Sequence, residues 1–227
     1  MHTGTFTMTR TYVAAAVCCT LLLSLPARAE LMEVPPLEIA LAMASAGEVD
    51  EALFERVFAF VNDNFWSPLR IKDLDPPGTN SVEWVLERAS ALVDTNDVCI
   101  LVLVDRPAGF PDLKERVHRE KRAAVLNVGA LRPAAPDAED DPEMYGRRVE
   151  KEAMRVMGEL LGLDNCNMPR CALHVAPNAA ELDKKGRNLC PPCQTEALRL
   201  LRKKGVYVYF DRPAEFWRNR GKKNQSK

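Results

Sequence analysis

Histidine is scarce: the 227-residue chain has three, His2, His118 and His174. A site with three imidazole ligands would have to use all of them, which weighs against a three-histidine zinc enzyme. Charge of one sign is also missing. The 31 basic and 32 acidic side chains leave a net charge of −1, so no global field selects nucleic acid or an anionic surface. Seven cysteines at this length are too few for a disulfide-dense mini-protein. No apolar run is long enough to span a bilayer, and neither a repeat nor a second-domain linker is visible. What is present is a globular balance, with 47% hydrophobic and 28% charged residues, enough for one core.

Residues 1–29 read as an export signal. Arg10 precedes an apolar run from Tyr12 to Leu25, followed by Pro26 and the small-residue pattern Ala27, Arg28, Ala29. A basic start, a short apolar stretch and A-x-A predict cleavage after Ala29. The run is shorter than the roughly 20 residues of a membrane span. The expected location is outside the cytoplasm, periplasmic or secreted. Residues 30–205 read as the folded domain, and 206–227 as a last strand and a basic tail. That tail mixes aromatics with arginines, but an exported chain has little occasion to bind nucleic acid, and a solvated tail is the simpler expectation.

Strand and helix patterns alternate through the domain. Residues 37–43 suggest a strand, and Asp50 can cap a helix over 51–64, where Leu53, Val57, Phe58, Phe60 and Val61 form one stripe. Residues 69–74 alternate as a short strand, 75–80 read as a loop, and Ser81 can cap a helix to about Leu92. The continuous apolar run 98–104 predicts a buried central strand. A strand over 122–130, a loop over 132–142, a helix over 142–161, a helix near 191–204 and an extended piece over 206–210 complete an α/β domain. Cys99, in mid-strand, reads as a small buried hydrophobe. His118, inside the charged stretch 114–122, reads as solvated.

The strongest chemistry lies in Cys166, Cys171, Cys190 and Cys193, two close pairs spaced C-x4-C and C-x2-C. Four thiolates can close a tetrahedron around one zinc, leaving no open position, so such a site is structural. Two disulfides, or a redox dithiol at Cys190 and Cys193, use the same residues.

Residues 151–166, with Gly162, Cys166, Cys171, Cys190 and Cys193, resemble the archaemetzincins, which carry H-E-x-x-H-x-x-G-x-x-H-C-x4-C-x-M and a later C-x-x-C. Leu131 to Pro133, Lys151 to Ala153 and residues 178–185 add to the likeness, which covers roughly 37–204. It implies a zincin-like single domain: a mixed sheet, an active-site helix and a four-cysteine zinc-binding C-terminal lobe. The ligand positions of that motif are not kept. Its histidines fall on Arg155, Glu159 and Asn165, its general base on Val156, and its methionine on Leu173. Arginine offers donors only, and valine cannot take a proton. The expectation is a homologue without catalysis, stabilised by one structural zinc, whose cleft could hold an extended peptide along an edge strand at 124–131. The rival is an active zinc peptidase with shifted ligands such as His174, Glu159 and Asp164. Arg148, Glu152, Arg155 and Glu159 recur at helical spacing with alternating sign. They read either as a solvated salt-bridged face or as an ion pair, Arg155 with Glu159, filling the space of a lost metal.

Overall fold

A strand buried at every position must be covered on both faces, and the architecture follows from two such strands. A computed structural model describes residues 38–74, 81–106, 114–132 and 141–208. The stretches expected to be an export signal, a loop at 75–80 and a C-terminal tail lie outside the described residues.

In chain order the elements are β1 (Ala40–Ala46), α1 (Glu51–Phe65), β2 (Leu69–Ile71), α2 (Val82–Leu92), β3 (Asp97–Val104), β4 (Glu115–His118) and β5 (Ala123–Asn127). A 3-10 turn (Val128–Leu131), α3 (Pro142–Leu161), α4 (Ala179–Lys184) and α5 (Pro191–Lys203) follow. The five strands form one mixed sheet in the order β2-β1-β3-β5-β4. All neighbours are parallel except β4, which runs antiparallel to β5.

Alternation along β3 sorts the side chains. Ile100, Val102 and Val104 face α2 and its Val82, Val85, Leu86 and Ala89. Cys99, Leu101 and Leu103 face the larger core shared with α1 and α3. All eight β3 positions and all five of β5 are buried, as expected of strands covered on both faces. The caps follow their residues: the Leu53 N–H donates to Asp50 Oδ1 at 2.8 Å, and the Trp84 N–H donates to Ser81 Oγ at 3.4 Å.

Helix α3 begins with Asp141 accepting from the Glu143 N–H and with Pro142 in its first turn, where a missing N–H costs nothing. It stops at Gly162, whose φ of 102° only glycine adopts without strain. The Gly162 N–H reaches Glu159 O and the Leu163 N–H reaches Gly158 O, closing a Schellman motif.

Four expectations need correction. Strand β2 ends at Ile71, not Leu74. The strand expected to reach Ala130 gives way to the 3-10 turn after Asn127. Residues 206–208 form no strand, although Val206 and Val208 are buried in the core. Strand β5 is not an edge, because β4, absent from the sequence reading, pairs along its outer side.

Candidate functional site: four thiols beside a buried charge network

The loop leaving Gly162 carries Cys166 and Cys171, and the start of α5 carries Cys190 as its N-cap and Cys193 in its first turn. Their Sγ atoms all lie within 4.8 Å of one another. Cys166 Sγ and Cys190 Sγ stand 3.7 Å apart, close to the edge of about 3.8 Å in a tetrahedron with zinc–sulfur bonds of about 2.3 Å. The described cysteines are all free, and no pair approaches bonding distance. Backbone N–H groups point at two of the sulfurs, Met168 N–H at Cys166 and Cys190 N–H at Cys171, both at 3.4 Å. Such donors favour the thiolate form that binds metal. Burial and the neighbouring thiols push Cys193 up, and burial pushes Cys171 up. Burial also acts on Cys190, but the Cys193 N–H and the surrounding thiols outweigh it and lower that group. The donor set fits one structural zinc.

His174 does not join the sulfurs. Its Nδ1 lies 3.0 Å from the Cys166 carbonyl oxygen and steadies the loop instead. Among the described residues, the four cysteines are the group of His, Cys, Asp or Glu side chains near enough to hold an ion; His174, Glu159 and Asp164 do not assemble. His118 is half-buried on β4, with its Nδ1 accepting from the Lys121 N–H at 3.4 Å, so the expectation of a solvated side chain is corrected. Cys99 is buried against Met157, and burial pushes its thiol up to about 12.

The polar stripe of α3 departs furthest from the sequence reading. It is not a solvated face. Arg148, Glu152 and Arg155 are buried, and only Glu159 is half-exposed. Arg155, 4% exposed, stands where the likeness places a first metal ligand. Its Nε donates to Glu152 Oε2 at 3.0 Å, its Nη2 lies 2.6 Å from Glu115 Oε1 on β4, and its Nη1 donates to Glu159 Oε2 at 3.4 Å. Glu152, 0% exposed, also meets Lys185 Nζ at 2.8 Å and Lys114 Nζ at 2.7 Å. Three cations thus face three carboxylates, the balance a buried network requires. Burial alone would raise Glu152, but Lys185, Arg155 and Lys114 outweigh it and hold its carboxyl at about 2. Lys185 is lowered, because its own burial exceeds the pull of Glu152. Arg155 is raised, since its three carboxylates more than offset its burial.

Two further cations on α3 fasten α4 to it. Arg148 holds both oxygens of Asp183 at 2.7 Å, and Lys151 Nζ donates to the carbonyls of Leu182 and Asp183 at 2.9 Å. Two of the stretches that add to the likeness, 151–153 and 178–185, are therefore in contact.

The remaining motif positions are scattered. Val156 is fully buried in the core, Asn165 and Asp164 are exposed, and Leu173 is buried against α3. Gly158 permits that approach: a Cβ there would meet Leu173 Cδ2 at 2.5 Å.

Comparison with known proteins agrees with this architecture. The family model of Peptidase family M54 matches residues 92–199. The archaemetzincin of Halobacterium salinarum (strain ATCC 29341 / DSM 671 / R1) is 40% identical over 52 residues, 23% of this chain and 30% of that protein. That of Thermococcus kodakarensis is 32% identical over 80 residues, 35% of this chain and 43% of that protein. The chain thus spans less than half the length of these curated relatives. A crystal structure of archaemetzincin from Methanopyrus kandleri superposes with a TM-score of 0.58 at 20% identity, covering 74% of this chain and 98% of that one. A zinc-dependent peptidase from Methanocorpusculum labreanum gives 0.55 at 16% identity, covering 69% and 99%. At such identities the structures establish the shared fold.

Proposed function

The chain is archaemetzincin-like, and from that premise we propose that it is an exported homologue without peptidase activity, held together by one zinc on Cys166, Cys171, Cys190 and Cys193. One observation carries the reading: the Arg155 guanidinium, enclosed by Glu152, Glu115 and Glu159, stands where a metal-binding imidazole would be needed. A guanidinium has no lone pair for a metal and repels one by charge. The next residue, Val156, has no group to take a proton from water, and it is sealed in the core. These residues do not fit a catalytic zinc.

A retained scaffold can still bind. The outer side of β4 pairs with no strand among the described residues, and Glu115 ties β4 to α3. An extended peptide can add to such an edge through backbone hydrogen bonds without any metal. Export is supported by the signal-like pattern of residues 1–29.

Metal analysis of the purified protein tests the core of the proposal. One zinc per chain, with no cleavage of quenched peptides before or after chelation, is the expected result. Two zincs per chain, or chelator-sensitive cleavage, overturns it. N-terminal sequencing of protein recovered from outside the cytoplasm should begin at Glu30. An extended-peptide array that shows no binding removes the peptide-binding part alone.

A further inference from the structure

Helix α3 and the segment after α4 enclose a cleft of about 420 Å³, on a different part of α3 from Arg155. Lys151 forms part of its lining. This side chain is only 5% exposed, and its ammonium donates to two neutral carbonyls, Leu182 O and Asp183 O. Among the described residues no carboxylate comes within ion-pair distance of it. The acids lining the cleft are engaged elsewhere: Asp141 caps α3, Glu143 serves Arg56 and Arg147, and Asp183 serves Arg148. Burial lowers the Lys151 ammonium; attraction to Asp183 opposes this, and the nearby Arg147, Arg187 and Arg148 add to the lowering.

A buried ammonium whose attracting carboxylate, Asp183, is already held by both oxygens to Arg148 is only partly neutralised, and natural interiors pair such groups more fully. Arg147 offers a second set of donors at the exposed rim. Its Nε holds Glu143 at 2.8 Å, and its terminal nitrogens make no further bond among the described residues. Cleft, buried cation and rim guanidinium together describe half of a binding site whose other half is negative. We infer that the cleft binds the oxyanion group of a small molecule, a carboxylate or a phosphate, with Lys151 as its buried partner and Arg147 at its mouth. The volume exceeds what an oxyanion alone would fill, so the rest of the ligand occupies the remainder. The site does not depend on the zinc or on loss of catalysis.

The test uses the full zinc-loaded chain, titrated separately with inorganic phosphate and with acetate at constant ionic strength, followed calorimetrically and by the amide resonances of Lys151, Lys185 and Gly186. The expected result is saturable binding of at least one of the two, and the one that binds names the ligand's acidic group. Lys151→Met should weaken it at least tenfold, about the effect of one charge-assisted hydrogen bond. Arg147→Gln, at an exposed position that tolerates change, should weaken it severalfold, and Arg116→Gln on β4 should leave it unaltered. If Lys151→Met does not fold, Arg147→Gln decides. No saturable response to either anion up to roughly 50 mM, or equal binding by wild type and the folded variants, overturns the inference.

Discussion

Glu152→Gln is the sharpest probe of the buried network. The change keeps the volume of the side chain and removes only its charge. In the folded chain that carboxylate meets Lys185, Lys114 and Arg155, and two of these cations are themselves buried. Its carboxyl is held down from 4.5 to about 2, which corresponds to about 3 kcal/mol of stability at neutral pH. Removing one partner of a buried ion pair costs about 3–5 kcal/mol, so two routes give the same size. For a domain of this length, about 3 kcal/mol lowers the thermal midpoint by roughly 6–12 °C. The pH dependence carries the stronger test. A depressed carboxyl contributes fully above pH 4.5, its ordinary value, and the contribution is lost as pH falls through about 2. Wild type and Glu152→Gln should therefore differ most at pH 5–7, with the gap closing between pH 4.5 and 2. Urea unfolding followed by circular dichroism at stepped pH measures this directly. A variant within about 0.5 kcal/mol of wild type at pH 7, the range of an ordinary surface substitution, would refute the network as a source of stability. So would a gap that stays constant down to pH 2.

Two further outcomes test the lobe and the core. Cys193→Ser should bring the zinc content from one per chain toward zero and lower the thermal midpoint, because metal binding to a preformed four-thiol site is folding free energy; elemental analysis with a melting curve reads both, and unchanged zinc would assign the metal elsewhere. Cys99, buried and with its thiol pushed up to about 12, should resist alkylation at pH 8 in the native protein even after chelation exposes the other four, and should react once the chain is denatured, as peptide mapping by mass spectrometry would reveal.

The parts of the fold legible in the sequence are those set by local rules. The apolar run at β3, the stripe of α1, its Asp50 cap, and the span of α3 from Pro142 to its glycine stop all follow from periodicity and capping within a few residues. Strand β4 was hidden because it is four residues long and written as Glu, Arg, Val, His, a pattern that reads as solvated charge. Its Glu115 is charged because it faces a buried arginine across the sheet edge. The six-residue α4 was hidden for a related reason: a helix that short depends on tertiary contacts, here Arg148 and Lys151 gripping its last turn. The spacing of Arg148, Glu152, Arg155 and Glu159 reported one helical face but not its burial. The groups that bury it, Lys114 and Lys185, come from elements more than thirty residues away along the chain.

The two halves of the site then explain each other. On the proposed reading, a dication held by imidazoles on the helix and beyond its glycine stop is absent, and the carboxylates near that helix need another counter-charge. In this chain Arg155 supplies a cation on the helix itself, while Lys114 and Lys185 supply two more from the flanking segments, so the interior stays neutral without a metal ligand. Nothing comparable replaces the sulfurs. The segment from Leu163 to Ala176 is short of regular structure; beyond its buried Leu163, Ala172, Leu173 and Ala176, the Ala172 N–H bond to Asn188 O and the Arg119 bond to Leu163 O, its anchorage runs through Cys166 and Cys171 to the start of α5. A loop of that kind gains more from a closed metal site than a twenty-residue helix fixed by packing and paired charges. On the proposed reading, selection could release the catalytic ligands while holding the four thiols. Deleting the sulfur site should accordingly loosen the loop at 163–176 and α5 first, with the sheet and α3 still protected from hydrogen exchange.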